Sequence, residues 1–220
     1  MSNVKKNADL VTATINGVEV SVPRNTSILR AIRKAGTDVP TLCCMKDVNV
    51  IGMCRVCSVE VQGRENLVPA CTGKVEDGMV ITTHSERVVA YRKMMLELIL
   101  AEHGLDSTNY CFSCDKNGAC KLQAVCREVG VVESAFAPKE PKPRKPVLDS
   151  NPFLIFDPNL CIQCQRCIGA CNNMARNHTL QAGRRGGRIK IMAPFGPDWD
   201  STQCESCGNC AQVCPTGAII

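Results

Sequence analysis

Eight of the chain's 17 cysteines fall into two runs of one spacing. Cys161, Cys164, Cys167 and Cys171 read C-x2-C-x2-C-x3-C, and Cys204, Cys207, Cys210 and Cys214 repeat it, with Pro215 following. The spacing suits cubane 4Fe–4S clusters. A tight loop presents three thiolates to three corners of one cluster, while the fourth cysteine opens a segment that points away and reaches the other. The expected sets are Cys161, Cys164, Cys167 with Cys214, and Cys204, Cys207, Cys210 with Cys171. The competing reading, a zinc ribbon, uses two C-x2-C pairs and not two runs of four.

A second constellation lies earlier. Cys43, Cys54, Cys57 and Cys71 read C-x10-C-x2-C-x13-C. One long loop offers the first three thiolates and a later strand end the fourth, which suits a 2Fe–2S cluster on a β-grasp fold of the plant-type ferredoxin kind. Gly52 lets backbone approach a cluster sulfur closely. Cys44 competes with its neighbour Cys43 for the first position. Cys54-Arg55-Val56-Cys57 taken alone reads as a redox dithiol, but no thioredoxin-like βαβ pattern surrounds it. The third constellation is His103, Cys111, Cys114 and Cys120. Its three cysteines lack an obvious fourth thiolate. An imidazole can fill a cluster corner when its other nitrogen is oriented; the plainer reading is a helix C-terminal histidine that interacts with the dipole.

These ligands need elements to hold them. Val11–Ile15 and Val18–Val22 alternate around Asn16-Gly17, the strongest two-residue hairpin signal. Thr26 or Ser27 then caps a helix that runs to about Ala35 and stops at Gly36. Further strands are expected at Ser58–Val61, Leu67–Ala70 and Met79–Thr83. Glu86–Glu102 has helical composition, with Val88, Tyr91, Met95, Leu98 and Ala101 spaced along it, and a short helix is expected over Lys121–Glu128. Ala137–Ser150 is rich in proline and lysine and reads as an extended linker. Arg184-Arg185-Gly186-Gly187-Arg188 reads as a solvated turn between strands. The expected fold class is α+β. Residues 1–84 form a 2Fe–2S domain and 85–136 a small helical 4Fe–4S domain with mixed histidine and cysteine ligation. Residues 137–150 form a linker and 151–220 a two-cluster domain.

Cysteine at this density means either disulfides in an oxidising compartment or metal ligation in a reducing one. Met1–Asp9 has no apolar signal region, so ligation in the cytoplasm is expected. Met94–Ala101 is the longest apolar run, is too short to cross a bilayer and contains Glu97. The formal charge of +5 counts every cysteine as neutral. Thiolates bound to clusters would leave the loaded chain mildly acidic, so a basic balance does not argue for nucleic acid or membrane. With few aromatics the chain cannot rely on a large apolar core, and cluster binding should supply much of its folding free energy.

The order of these constellations resembles the iron–sulfur region of NADH-linked redox complexes. It is similar to the N-terminal region of the NADH:quinone oxidoreductase large subunit, to iron-only hydrogenases and to NAD-dependent formate dehydrogenases. Gly52-Met53-Cys54-Arg55-Val56-Cys57, Cys114–Gln123 and Cys207–Ala218 look closest to the formate dehydrogenase type. The last block resembles the two-cluster bacterial ferredoxin, with Asn172 where proline is usual. The family places a histidine in the middle site, which favours His103. His103 stands eight positions before Cys111 rather than four, and Cys126 is the other candidate. The resemblance implies one 2Fe–2S and three 4Fe–4S clusters, a flavoprotein partner that oxidises NAD(P)H, and a separate catalytic subunit of molybdopterin or hydrogenase type. In the relatives a catalytic domain follows the point where this chain ends. No Gly-rich nucleotide loop, paired carboxylates or nucleophilic triad stands out. The expectation is a non-catalytic electron-transfer subunit of a cytoplasmic hetero-oligomer. The alternatives are a zinc-stabilised interaction module and a reductase acting alone.

Overall fold

The computed structural model describes residues 9–103, 109–112, 114–138, 144–185, 188–192 and 204–220. By packing, the chain forms two units. One comprises Met1–Thr41 and Arg55–Arg92, the other Leu42–Cys54 and Lys93–Ile220.

The first unit is a five-stranded sheet with one helix. β1 (Leu10–Ile15) and β2 (Val18–Pro23) pair antiparallel, Ile15 opposite Val18. Asn16 and Gly17 both have positive φ, 49° and 85°, as the tight hairpin turn requires. α1 (Ile28–Lys34) starts at Ser27, whose hydroxyl accepts from the Arg30 N–H at 3.3 Å. β3 (Ser58–Val61), β4 (Val68–Pro69) and β5 (Met79–Thr82) complete the sheet in the order β2-β1-β5-β3-β4. β1 runs parallel to β5, the other pairs antiparallel. β4 is shorter than the expected Leu67–Ala70, because Pro69 has no N–H to give a ladder. Val11, Ala13 and Ile15 of β1, Ile81 of β5, and Ile28, Leu29, Ala31 and Ile32 of α1 are buried and form the unit's core.

α2 (Glu86–Glu102) begins in the first unit and ends in the second, with the expected bounds. The second unit continues with α3 (Asn109–Phe112) and α4 (Lys121–Val129), which ends at Gly130 with φ 76°. α5 (Arg166–Gly169) runs directly into one turn of π-helix, Ala170–Met174. β6 (Gln181–Arg185) and β7 (Arg188–Met192) form a hairpin, and α6 (Asn209–Val213) follows. The arginines of the basic run lie in the hairpin strands rather than in a turn, Arg184 and Arg185 ending β6 and Arg188 opening β7, because the pairing extends to Arg185 opposite Arg188; the glycines between them lie outside the described residues. At the end of the proline- and lysine-rich segment, Leu148 pairs with Phe156, which also pairs with Ile219. The apolar core is built from Leu154, Phe156, Leu160, Leu180, Ile191, Ala218 and Ile219, and Cys167, Cys171 and Cys210 are part of it.

Candidate metal centres

The two cysteine runs of the second unit share a backbone path. Gln163 and Gln165 take positive φ of 57° and 60°, and Ser206 and Gly208, at the equivalent positions, take 52° and 74°. Three of these four are not glycine, so the loop imposes a conformation that L-residues adopt at a cost. Alternation of this kind turns successive N–H groups toward one concave side, a shape that receives anionic groups. The Gln163 N–H donates to Cys161 Sγ at 3.4 Å.

Each run divides its cysteines between two cavities. Cys161, Cys164 and Cys167 line a small cavity together with Cys214 from the other run. Cys204, Cys207 and Cys210 line another together with Cys171. Local structure explains the crossing. The π-helical turn after α5 carries Cys171 on past its own loop, and Cys214 leaves α6 in an extended conformation, φ −64° and ψ 121°. Apolar side chains close both cavities: Phe156, Ile191 and Ile219 around the first, Leu154 and Leu180 around the second. Burial pushes the Cys161 thiol up to about 11, Cys164 to about 12 and Cys210 to about 11, and Cys167 well above its ordinary value. Neighbouring thiols add to each shift, while backbone N–H groups of Gln163, Arg166 and Ala211 oppose those of Cys161, Cys164 and Cys210. Such thiols stay protonated until cationic iron displaces their protons. Among the described residues no three His, Cys, Asp or Glu gather as a single-ion site; these thiols stand around cavity walls instead.

α2 delivers His103, whose backbone N–H still bonds to the Ile99 and Leu100 carbonyls at 3.0 and 3.1 Å. The ring is 6% exposed, and its Nδ1 has no hydrogen-bond partner. Burial lowers its pKa to about 4, against the opposing influence of the Leu160 backbone and Asp157, so it is neutral. Cys111 sits on α3, and Cys120 is the extended residue before α4. Between Cys114 and Cys120, the Gln123 side chain accepts from the Gly118 N–H and donates to Asn117 Oδ1, which fixes the turn. The Cys214–Gly217 segment reaches this site too. The Pro215 carbonyl accepts from the Lys121 N–H at 2.9 Å and from the Cys120 thiol at 3.5 Å. A Cβ on Gly217 would stand 2.7 Å from Cys114 Sγ, so glycine is required for the close approach. Cys126 is buried on α4, and burial together with Cys120 and Cys111 raises its pKa to about 11.

Of the earliest constellation, Cys57 and Cys71 belong to the first unit and Cys43 and Cys54 to the second. In the first, Cys57 and Cys71 are buried, and the Ala70 N–H bonds the Cys57 carbonyl at 3.2 Å. α1 is tied to the same strand end by Leu29 N–H to the Ala70 carbonyl and Ile28 N–H to that of Gly73. The peptides flanking Cys57 are held by Arg92, 4% exposed, which donates to the carbonyls of Val56, Ser58 and Thr83. In the second unit, the Cys54 N–H points at Cys43 Sγ, 3.5 Å away, and Cys43 is fully buried. Sequence reasoning missed Arg92 and Asn49, both buried polar residues in contact with ligand-bearing peptides. Nothing in their local sequence marks them, because their partners are distant backbone carbonyls.

Three family models match in succession. A 2Fe-2S iron-sulfur cluster binding domain covers residues 8–86, the NADH-ubiquinone oxidoreductase-G iron-sulfur binding region 92–135, and the ferredoxin-like domain of NADH-quinone oxidoreductase subunit 3 residues 151–220. The NADP-reducing hydrogenase subunit HndD of Solidesulfovibrio fructosivorans is 37% identical over 216 residues, which are 96% of this chain and 36% of that one. The mitochondrial NADH-ubiquinone oxidoreductase 78 kDa subunit of Neurospora crassa is 33% identical over 95% of this chain and 27% of its own length. This chain thus spans about a third or less of these relatives. A solved structure of an NAD+-reducing NiFe hydrogenase in the H2-reduced state aligns at a TM-score of 0.79 and 29% identity. The alignment covers 95% of this chain and 86% of that one. The cavities, the crossing cysteines and the order of matched domains agree: this is an iron–sulfur protein that resembles, almost throughout, part of subunits of NADH:quinone oxidoreductases and NAD(P)-linked hydrogenases.

Proposed function

We propose that the chain relays electrons between a flavoprotein subunit that oxidises NAD(P)H and a separate catalytic subunit of formate dehydrogenase or hydrogenase type, within a cytoplasmic hetero-oligomer. One observation carries the reading: two cavities, each lined by four thiols drawn from both cysteine runs. The residues fit the group. Cys164, Cys167, Cys171 and Cys210 are buried, the loops turn N–H groups inward, and apolar side chains line part of each cavity.

Cys161, Cys164, Cys167 and Cys214 would hold one 4Fe–4S cluster, and Cys171, Cys204, Cys207 and Cys210 another. Cys43, Cys54, Cys57 and Cys71 would hold a 2Fe–2S cluster on a β-grasp domain of residues 1–84, supported by the family model over 8–86. His103, Cys111, Cys114 and Cys120 would hold the third 4Fe–4S cluster within residues 85–136, joined by the linker 137–150 to the two-cluster domain 151–220. The buried, neutral ring and its unpartnered nitrogen support His103. Cys126 then remains a structural thiol.

When bound, such clusters accept and release single electrons at potentials set by ligands, hydrogen bonds and burial. The polypeptide's part is to hold thiolates in place, aim N–H groups at sulfur and exclude water. Among the described residues no helix is long and apolar enough to cross a membrane. A zinc-stabilised module is not favoured by thiols arranged around cavities or by redox relatives. The test is anaerobic purification of the native complex. The proposal expects a co-purifying flavoprotein, and cluster signals in this chain that bleach on adding NADH or NADPH. Clusters that never respond to either nucleotide in the intact complex contradict the relay.

A further inference from the structure

Within the second unit, the loop bearing Cys43 and Cys54 is fastened to the segment bearing Cys164 and Cys167. Arg166 Nη2 donates to the Cys44 carbonyl at 3.0 Å, Asn173 Nδ2 to the Val48 carbonyl at 2.9 Å, and Gln165 Nε2 reaches Met53 Sδ at 3.3 Å. Val48, Ala170 and Val213 form a small buried cluster. Gly169 passes so close to the Val48 carbonyl that a Cβ would collide with it. These contacts seat the loop, but none joins a ligand of one set to a ligand of the other.

Asn49 does. It is 8% exposed, and its backbone is fixed by paired bonds with Met45 at 2.8 and 2.9 Å. Its side-chain nitrogen donates to the Cys43 carbonyl at 3.1 Å and to the Cys164 carbonyl at 3.0 Å. A primary amide carries two N–H groups on one atom, and here each serves the peptide of a ligand from a different set. An Asp of the same shape offers no donor when ionised, and Leu of similar size offers none at all. Either would remove both bonds to buried carbonyls, and the two peptides would separate or admit water between them.

We propose that Asn49 is a positioning residue for electron transfer between the cluster of the Cys43 set and the cluster of the Cys161, Cys164, Cys167 and Cys214 set. Its amide fixes their separation and supplies a short hydrogen-bonded route between their peptides. The inference rests on the electron-relay reading above.

The test uses the full chain, prepared anaerobically with its clusters. Asn49→Asp and Asn49→Leu remove the donors; Asn173→Ala removes a bond that seats the same loop without touching a ligand. Iron, sulfide and the EPR signal of each cluster are measured first. A wild-type chain without 2Fe–2S and 4Fe–4S signals fails the relay reading itself and ends this proposal with it. In loaded protein, two quantities are then read: the relaxation enhancement of the reduced 2Fe–2S signal by its reduced neighbour, and the rate of equilibration after flash photoreduction. Both Asn49 variants should weaken the first and slow the second by about tenfold, a loss typical of misplaced reacting groups, with Asn173→Ala staying near wild type. Wild-type equilibration in a loaded Asn49 variant overturns the proposal, as does equal slowing in Asn173→Ala. Failure of both Asn49 variants to load, with Asn173→Ala loading normally, also overturns it, since Asn49 would then serve folding alone.

Discussion

His103 and Cys126 are both buried, and Cys126 lies near Cys120. Burial holds the imidazole neutral, the form in which a histidine binds iron, and leaves its Nδ1 unpartnered. Burial raises the Cys126 thiol to about 11 just as it raises the thiols of the two cysteine runs, so it is the unpartnered ring nitrogen that favours His103. His103→Ala should therefore remove one 4Fe–4S EPR signal and about four irons per chain, while Cys126→Ala leaves both unchanged. The reverse pattern would move the ligand to Cys126. The ring also fixes a pH dependence. Its folded pKa of about 4 lies below the ordinary 6.5, so the unfolded chain binds the extra proton first. The stabilisation is fully present above pH 6.5 and is lost as pH falls toward 4, by up to about 3 kcal/mol. Urea unfolding should show acid destabilising the wild type more than His103→Leu over this window; parallel losses would contradict a buried neutral ring. At this scale the grouping of Cys161, Cys164 and Cys167 with Cys214, and of Cys204, Cys207 and Cys210 with Cys171, was legible from their spacing. Asn49 was not, because one of its partners is a carbonyl 115 residues away.

The strand and helix signals of the first unit were local and therefore readable: Asn16-Gly17 at the hairpin, Ser27 at the cap, and the whole of α2. The parallel pairing of β1 with β5 was not, since period-two alternation carries no information on which strand lies alongside. The π-helical turn after α5 escaped as well; it inserts a residue without any compositional mark, yet it helps carry Cys171 to the second cavity. Its neighbour Gly169 supplies a prediction for these elements. Gly169→Ala forces a methyl group against the Val48 carbonyl and should destabilise the second unit by about 2 kcal/mol. Thermal or urea unfolding measures this, and an unchanged midpoint would contradict the close packing of the 42–54 loop on this segment.

For the molecule as a whole, the arrangement places cysteine where other proteins of this size place leucine. Cys167, Cys171 and Cys210 belong to the apolar core, and their neighbours line the cavities. Such a core is incomplete without what fills those cavities, so cluster insertion and folding should be coupled. The order of iron–sulfur domains was legible along the chain. The grouping of Leu42–Cys54 with Lys93–Ile220 was not, because it depends on a few polar side chains and one glycine far away in sequence. Relay through the chain requires above all that these thiols hold inorganic clusters. Iron and acid-labile sulfide analysis of the anaerobically purified chain, joined with low-temperature EPR of the reduced protein, tests that most directly. The expected result is a brown protein with about 14 irons per chain, matched by sulfide, and both 2Fe–2S and 4Fe–4S signals. A colourless, well-folded chain with zinc in place of iron and no sulfide would contradict it.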